Sequence, residues 1–177
     1  MSGDQERAGG KNLPKRDCRW SLGSALLLVL IVLVPGAVWV ALDRTVWPWD
    51  PAWYGQASID LFLDLTRHPE RWPASMVATL EIKAPAICWL GQFFVPLHAL
   101  LGSVDAALLS FVLIVTASAV LLAFASLRRG SGVGPALLAG LTMASAPLLV
   151  GLSHSFFVEP LQLLTVCWFL WVGSRQA

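Results

Sequence analysis

The stretch WPWDPAWYG, residues 47–55, opens the segment on which the chain turns, and EIKAP, residues 81–85, closes its charged part. A Trp-rich, charged loop lies between them. Apolar blocks flank it on both sides, each about as long as the roughly 20 residues a helix needs to cross a bilayer. That layout belongs to a membrane protein whose chemistry takes place at one membrane face. The expected fold is all-α and integral to the membrane. It has about four transmembrane helices, and juxtamembrane helices in a long first outer loop, residues 43–103.

Working outward, residues 1–20 are polar and hold Arg7, Lys11, Lys15, Arg16 and Arg19. They read as a cytoplasmic basic tail. Ser21 to Leu42 carries no charge until its end. It is too long for the apolar core of a signal peptide, and Trp39 and Val40 stand where a cleavage site needs small residues. It reads as a signal anchor with its basic side inside, which puts the N-terminus in the cytoplasm and the chain in the plasma (inner) membrane. After the WPWD turn, residues 51–65 have helical periodicity. Gln56, Asp60 and Asp64 recur every four residues and share one face. The expectation is an interfacial helix, ended by RHPER at 67–71.

Residues 86–101 are apolar but interrupted by Gln92, Pro96 and His98. Residues 106–127 form a clean span with Ser103 placed to cap it, Asp105 in its first turn and Arg128 and Arg129 at its end. Residues 135–152 make a further span, rich in small residues. The segment SHSFFVEP, 153–160, leads into a last apolar run, 161–172. Two topologies compete. If 86–101 crosses, there are five spans and the arginine pair lies outside. If it stays at the outer face, there are four, and Arg128, Arg129 and Arg175 join the basic N-terminus inside. The positive-inside rule favours four. Four spans also bring Asp50, Lys83, His154 and Glu159 to one face.

Composition agrees with this class. The chain is 56% hydrophobic and 13% charged, about half the charge of a soluble domain. A net charge of +1 without a basic stripe excludes a nucleic-acid partner. Cys18, Cys88 and Cys167 fall in three regions with no metal spacing and no disulfide framework.

Each candidate site residue has a plain alternative. Asp50, with Pro51 after it, fits a helix N-cap and also a general base towards a hydroxyl. Lys83 fits a lysine snorkelling to the headgroups and also a cation for a lipid phosphate. Glu159 borders an apolar run, where an acid needs water, a cation or a donor. His154 fits a solvated histidine or a partner for Glu159, and Glu81 fits an ion pair or a site acid.

The motif DPAWY, 50–54, resembles the acidic first-loop motif Asp-Glu-x-x-Tyr of the GT-C membrane glycosyltransferases. The nearest group is the protein O-mannosyltransferase and lipid A aminoarabinose transferase group. EIKAPAICWL, 81–90, resembles that group's Lys-Pro-Pro-Leu segment, and ASAPLLVGLSHSFFVEP, 144–160, resembles its next outer loop. The resemblance implies an inverting transfer from a polyprenyl-phosphate sugar to a lipid, glycan or protein hydroxyl acceptor, often with a divalent metal ion. It implies Asp50 as the catalytic base, Lys83 on the donor phosphate, and Glu159, His154 and Glu81 positioning acceptor or metal. It also implies that residues 21–177 are the N-terminal transmembrane part of a longer glycosyltransferase domain, so that the chain alone is expected not to turn over. Pro51 stands where a second acid is usual, Ala84 replaces a proline, and Leu108 replaces an arginine that opens the next span. Those departures suit a non-catalytic relative that binds lipid-linked sugar. A transporter fragment is the third reading, and broken spans with charges at mid-depth would mark it.

Overall fold

A computed structural model describes residues 15–43, 47–81 and 85–175, with the backbone alone for 15–20. The described residues are helical throughout, with no strand among them. In order they form α1 (Lys15–Leu42), α2 (Trp49–Arg67), α3 (Trp72–Ala78), a 3-10 turn (Thr79–Glu81), α4 (Pro85–Gly91), a second 3-10 turn (Val95–Leu97), α5 (His98–Leu101), α6 (Val104–Ser131), α7 (Val133–Ala144), α8 (Pro147–Ser153) and α9 (Glu159–Gly173).

Two helices are long and apolar enough to cross a membrane, α1 through its stretch Ser21–Leu42 and α6 through its whole length. They pack antiparallel. Arg128 at the end of α6 meets Ser21 near the start of α1, while Val40 near the end of α1 lines a groove with Ala106 at the start of α6. Gly36 permits the close approach between them, since a Cβ there would sit 2.3 Å from Leu113 Cδ2. The cap of α6 is as expected: Ser103 Oγ accepts from the Ala106 amide at 2.9 Å, Asp105 lies in the first turn and Arg128 and Arg129 in the last. α1 begins at Lys15, inside the segment expected to be tail. No Gly or Pro interrupts 15–20, so nothing stops the helix from running out past the apolar stretch.

The span expected at 135–152 is two helices. α7 and α8 meet at 60°, and the pair counts as one further span only if the bend is allowed. Pro147 causes the bend. It lacks an N–H and pushes the residue before it out of helical geometry, and Ala146 is extended at φ −61°, ψ 125°. Residues beside the break, Ser145 and Ala146, carry no charge. In α7, Ala136, Gly140 and Ala144 recur every four residues and form its buried stripe, with Leu28 of α1 against Gly140. The last expected span falls in α9, which has 15 residues. At 1.5 Å per residue that is roughly 22 Å, short of the 30 Å hydrocarbon core.

Residues 86–101 do not form one helix. They divide into α4, a turn, a 3-10 turn and α5, and no piece is long enough to cross, so the five-span reading loses its extra span. Packing explains the break. Gly91 is pressed against Phe156 and Ser58, at 2.7 and 2.8 Å from where a Cβ would stand. Gln92, which reads as a polar interruption, is fully buried and holds this layer together. Its Oε1 accepts from Trp72 Nε1 at 2.8 Å, and its Nε2 donates to the Trp89 carbonyl at 2.7 Å. Gln92→Ala strands the indole N–H of Trp72, and such an orphaned donor costs about 1–3 kcal/mol. The expected result is a lower unfolding temperature, read by thermal denaturation in detergent, with less of the loss recovered by Gln92→Leu than by Gln92→Glu.

Candidate functional site

The site is built where α1 ends, α6 begins and the loop helices cover both. α2 fulfils the amphipathic expectation. Pro51, Tyr54, Gly55, Ser58 and Leu61 are buried, Gln56 Nε2 donates to Asp60 at 2.8 Å on the exposed side, and the helix ends at Arg67. Asp64, on the same face, is not left to solvent. It accepts from Ser75 Oγ at 2.5 Å and ties α2 to α3.

Asp50 is not the N-cap. α2 starts one residue earlier, at Trp49, with Pro48 at the cap and no side-chain cap bond. Asp50 is the second helical residue, where its charge favours the positive end of the helix dipole without closing a hydrogen bond. Trp49 beside it is left-handed at φ 29° and 91% exposed. Trp47 turns inward and stacks on Phe156 at 5.8 Å between ring centroids.

Tyr54, one turn after Asp50, is buried in the core with Ile87, Cys88, Leu108 and Phe156. Burial first, then the charges of Asp50, Cys88 and Glu159, push its phenol above the ordinary value. Phe156, three residues before Glu159, belongs to the same core as Tyr54, and Val158 and Leu161 pack against it. Glu159 opens α9 as its first residue, with Pro160 next. Its Oε2 is buried and has no hydrogen-bond partner among the described residues. Cys88 is fully buried, and burial raises its thiol to about 11, which makes it a packing residue rather than a nucleophile or metal ligand.

His154 does not pair with Glu159. Its ring stacks on Trp39 of α1 at 4.9 Å, and the nearest charge acting on it is Asp43. Glu81 ends the first 3-10 turn with its side chain exposed, in a turn that packs on α3 and α4. Lys83 lies outside the described residues. So Asp50 lies one turn before Tyr54 and the segment around Glu159 packs on the same core through Phe156, Val158 and Leu161, while His154 lines a separate pocket of about 300 Å³ with Pro35, Gly36, Thr116 and Ser153.

A further cleft, of about 430 Å³, is bounded by Asp43, Trp47, Gln56, Ser103 and Asp105. An apolar groove of about 470 Å³ continues from it between α1 and α6, along Ala37, Ala41, Ser110 and Leu113, with Val40, Ser103 and Ala106 lining both. Asp43 and Asp105 have no site role in the sequence reading. The signal that finds them is their position at the two ends of the first outer loop: antiparallel pairing of the flanking spans must bring them together.

Burial pushes the His154 imidazole below its ordinary value, and Asp43 offsets only part of this. The fold thus holds the neutral ring. As pH falls below the ordinary histidine value of about 6.5, the unfolded chain takes up the proton first, and stability drops. A thermal unfolding series is expected to show full stability above that pH and a decline below it, with the decline reduced in His154→Gln.

Among the described residues, no group of three or more His, Cys, Asp and Glu side chains converges as a metal cage would require. Asp50 and Glu159 alone do not fit a metal held by protein groups. Comparison of the chain with protein families, with characterised proteins and with solved structures finds no match.

Proposed function

We propose that the chain is a membrane glycosyltransferase of the GT-C type, moving a sugar from a polyprenyl-phosphate donor to a hydroxyl acceptor at the outer membrane face with inversion. The observation that supports this reading is the packing of two motif segments on one core: Asp50 lies one turn before the buried Tyr54, and Phe156, Val158 and Leu161, which flank Glu159, pack on the core that holds Tyr54. The apolar groove between α1 and α6 supports a donor with a long lipid tail. The reading includes four crossings, with α7 and α8 as one bent span and α9 extended into the interface by residues 156–158.

In this mechanism Asp50 accepts the proton of the acceptor hydroxyl as its oxygen bonds to the anomeric carbon. The bond from that carbon to the phosphate oxygen breaks, and polyprenyl phosphate leaves with the electron pair. Lys83 stabilises the charge on the departing phosphate. Glu159, with one carboxylate oxygen unsatisfied, accepts a hydrogen bond from the acceptor or the sugar.

The test is gene-dependent transfer of radiolabelled sugar from a polyprenyl-phosphate donor in membranes of the expressing cell. Transfer that disappears on deletion of the gene and returns with it supports the reading. Identical transfer with and without the gene contradicts it. A second reading, a lipid-linked-sugar binder without transferase activity, is favoured by one observation. Leu108, where the GT-C group often has arginine, is fully buried in the Tyr54 core, so that region offers packing where a donor-binding cation would stand. Retention of the labelled donor by the purified protein without turnover separates this reading from the first.

A further inference from the structure

The opposite end of the bundle holds an arginine cluster that the proposed transfer does not use. Arg129 at the end of α6 and Arg175 just beyond α9 both place their guanidinium carbons over the ring of Trp171, at 5.7 and 3.5 Å from its centroid. Arg128 donates from Nη1 to Ser21 Oγ, so α1, α6 and α9 all reach this cluster. Among the described residues the only ion pairs are His68–Glu70 and Arg71–Glu70, and neither involves these arginines. Every Asp and Glu whose side chain is described belongs to the other end. Asp43 follows α1, Asp105 and Glu159 open α6 and α9, and the rest lie in 47–81.

Two cations gathered on one ring repel unless water or an anion lies between them. The depth of the cluster identifies the anion. Ser21 is the first residue of the apolar stretch of α1, so Arg128 sits where hydrocarbon gives way to headgroups. A Trp ring flanked by arginines at that level matches the interfacial position of such side chains. Among the described side chains, the acidic end holds no such arginine–Trp cluster.

We propose that Arg128, Arg129, Arg175 and Trp171 form a binding site for the phosphate of an anionic phospholipid at the membrane face away from Asp50. The guanidinium groups bind the phosphate oxygens through paired N–H donors, while the apolar surfaces of α6 and α9 receive the acyl chains. The site is independent of the transferase reading and stands or falls separately.

Native mass spectrometry of the purified full chain in neutral detergent tests it, with phosphatidylglycerol and phosphatidylcholine of the same acyl chains as probes. Phosphatidylglycerol is expected to stay bound preferentially, and the preference is expected to weaken with salt. Each arginine near an anionic surface contributes a factor of roughly five. Arg129→Gln with Arg175→Gln should therefore weaken phosphatidylglycerol binding roughly 25-fold. The charge-preserving Arg129→Lys with Arg175→Lys should keep more of it than the glutamine pair, though less than the arginines, whose paired donors lysine lacks, and shows that the altered end still folds. Equal binding of the two lipids by the natural chain overturns the proposal, whether or not the glutamine variant folds. So does undiminished phosphatidylglycerol binding by that variant. Displacement of the lipid by low millimolar inorganic phosphate overturns the lipid assignment in favour of a free-phosphate site.

Discussion

Replacing Asp50 by Asn in the gene, read in membranes of the expressing cell, is expected to leave insertion and folding intact and to lower sugar transfer by roughly 10²–10⁴-fold, the usual contribution of a general base. The structure makes this substitution clean. Asp50 makes no cap bond, so Asn forfeits only the interaction of a charge with the helix dipole, about 0.3–1 kcal/mol at an exposed end. The amide cannot take up the acceptor's proton. Asp50→Glu keeps a carboxylate but moves it by one methylene and should retain a small fraction of the activity. Protein level in the membrane and transfer from a polyprenyl-phosphate sugar are measured together for both variants. An Asn variant as active as the natural protein would remove Asp50 from the base role, even with the rest of the reading intact.

Phe156→Ala is expected to destabilise the loop layer by about 3–5 kcal/mol, the usual cost of emptying a buried aromatic site. Phe156 is fully buried, stacks on Trp47 and lies 6.4 Å from the Phe111 ring, centroid to centroid. It is the wedge between α2, α4 and α6, and it precedes Glu159 by three residues. Its loss should loosen Glu159 along with the WPWD turn. Phe156→Leu, which keeps part of the volume, should cost distinctly less. Thermal unfolding in detergent and the rate of proteolysis between 68 and 85 give the comparison. A change below about 1 kcal/mol for the alanine variant would mean that the layer is not held by this ring.

The parts of the fold that local chemistry dictates were legible in the sequence. The apolar length of α1 and α6, the Ser103 cap, the Arg128–Arg129 end and the amphipathic period of α2 need no tertiary information. The bend at Pro147 was signalled by the proline, but uniform apolarity across 135–152 outweighed it. The capping role expected of Asp50 failed because Trp49 enters the helix with a left-handed backbone, a conformation that propensity does not anticipate in a bulky residue. Gln92 read as a reason for 86–101 to remain at the surface. Its burial depends on Trp72 and Trp89 supplying a donor and an acceptor, and no local pattern announces such a pairing. The acids divide, with Asp50 and the Glu159 segment at the Tyr54 core and Asp43 with Asp105 at the cleft where α1 ends and α6 begins, while His154 lies in a separate pocket. Their sequence positions alone are compatible with one shared cluster.

The central claim is that the acids around Tyr54 and the arginines around Trp171 face opposite sides of the membrane. Single cysteines at Ser131 and Ser155, in a chain whose own Cys18, Cys88 and Cys167 are replaced by serine, test it through a membrane-impermeant thiol reagent applied to intact cells. Ser155→Cys should label from outside, and Ser131→Cys only after the membrane is opened. Labelling of both positions from the same side, or of Ser131→Cys alone from outside, would contradict it.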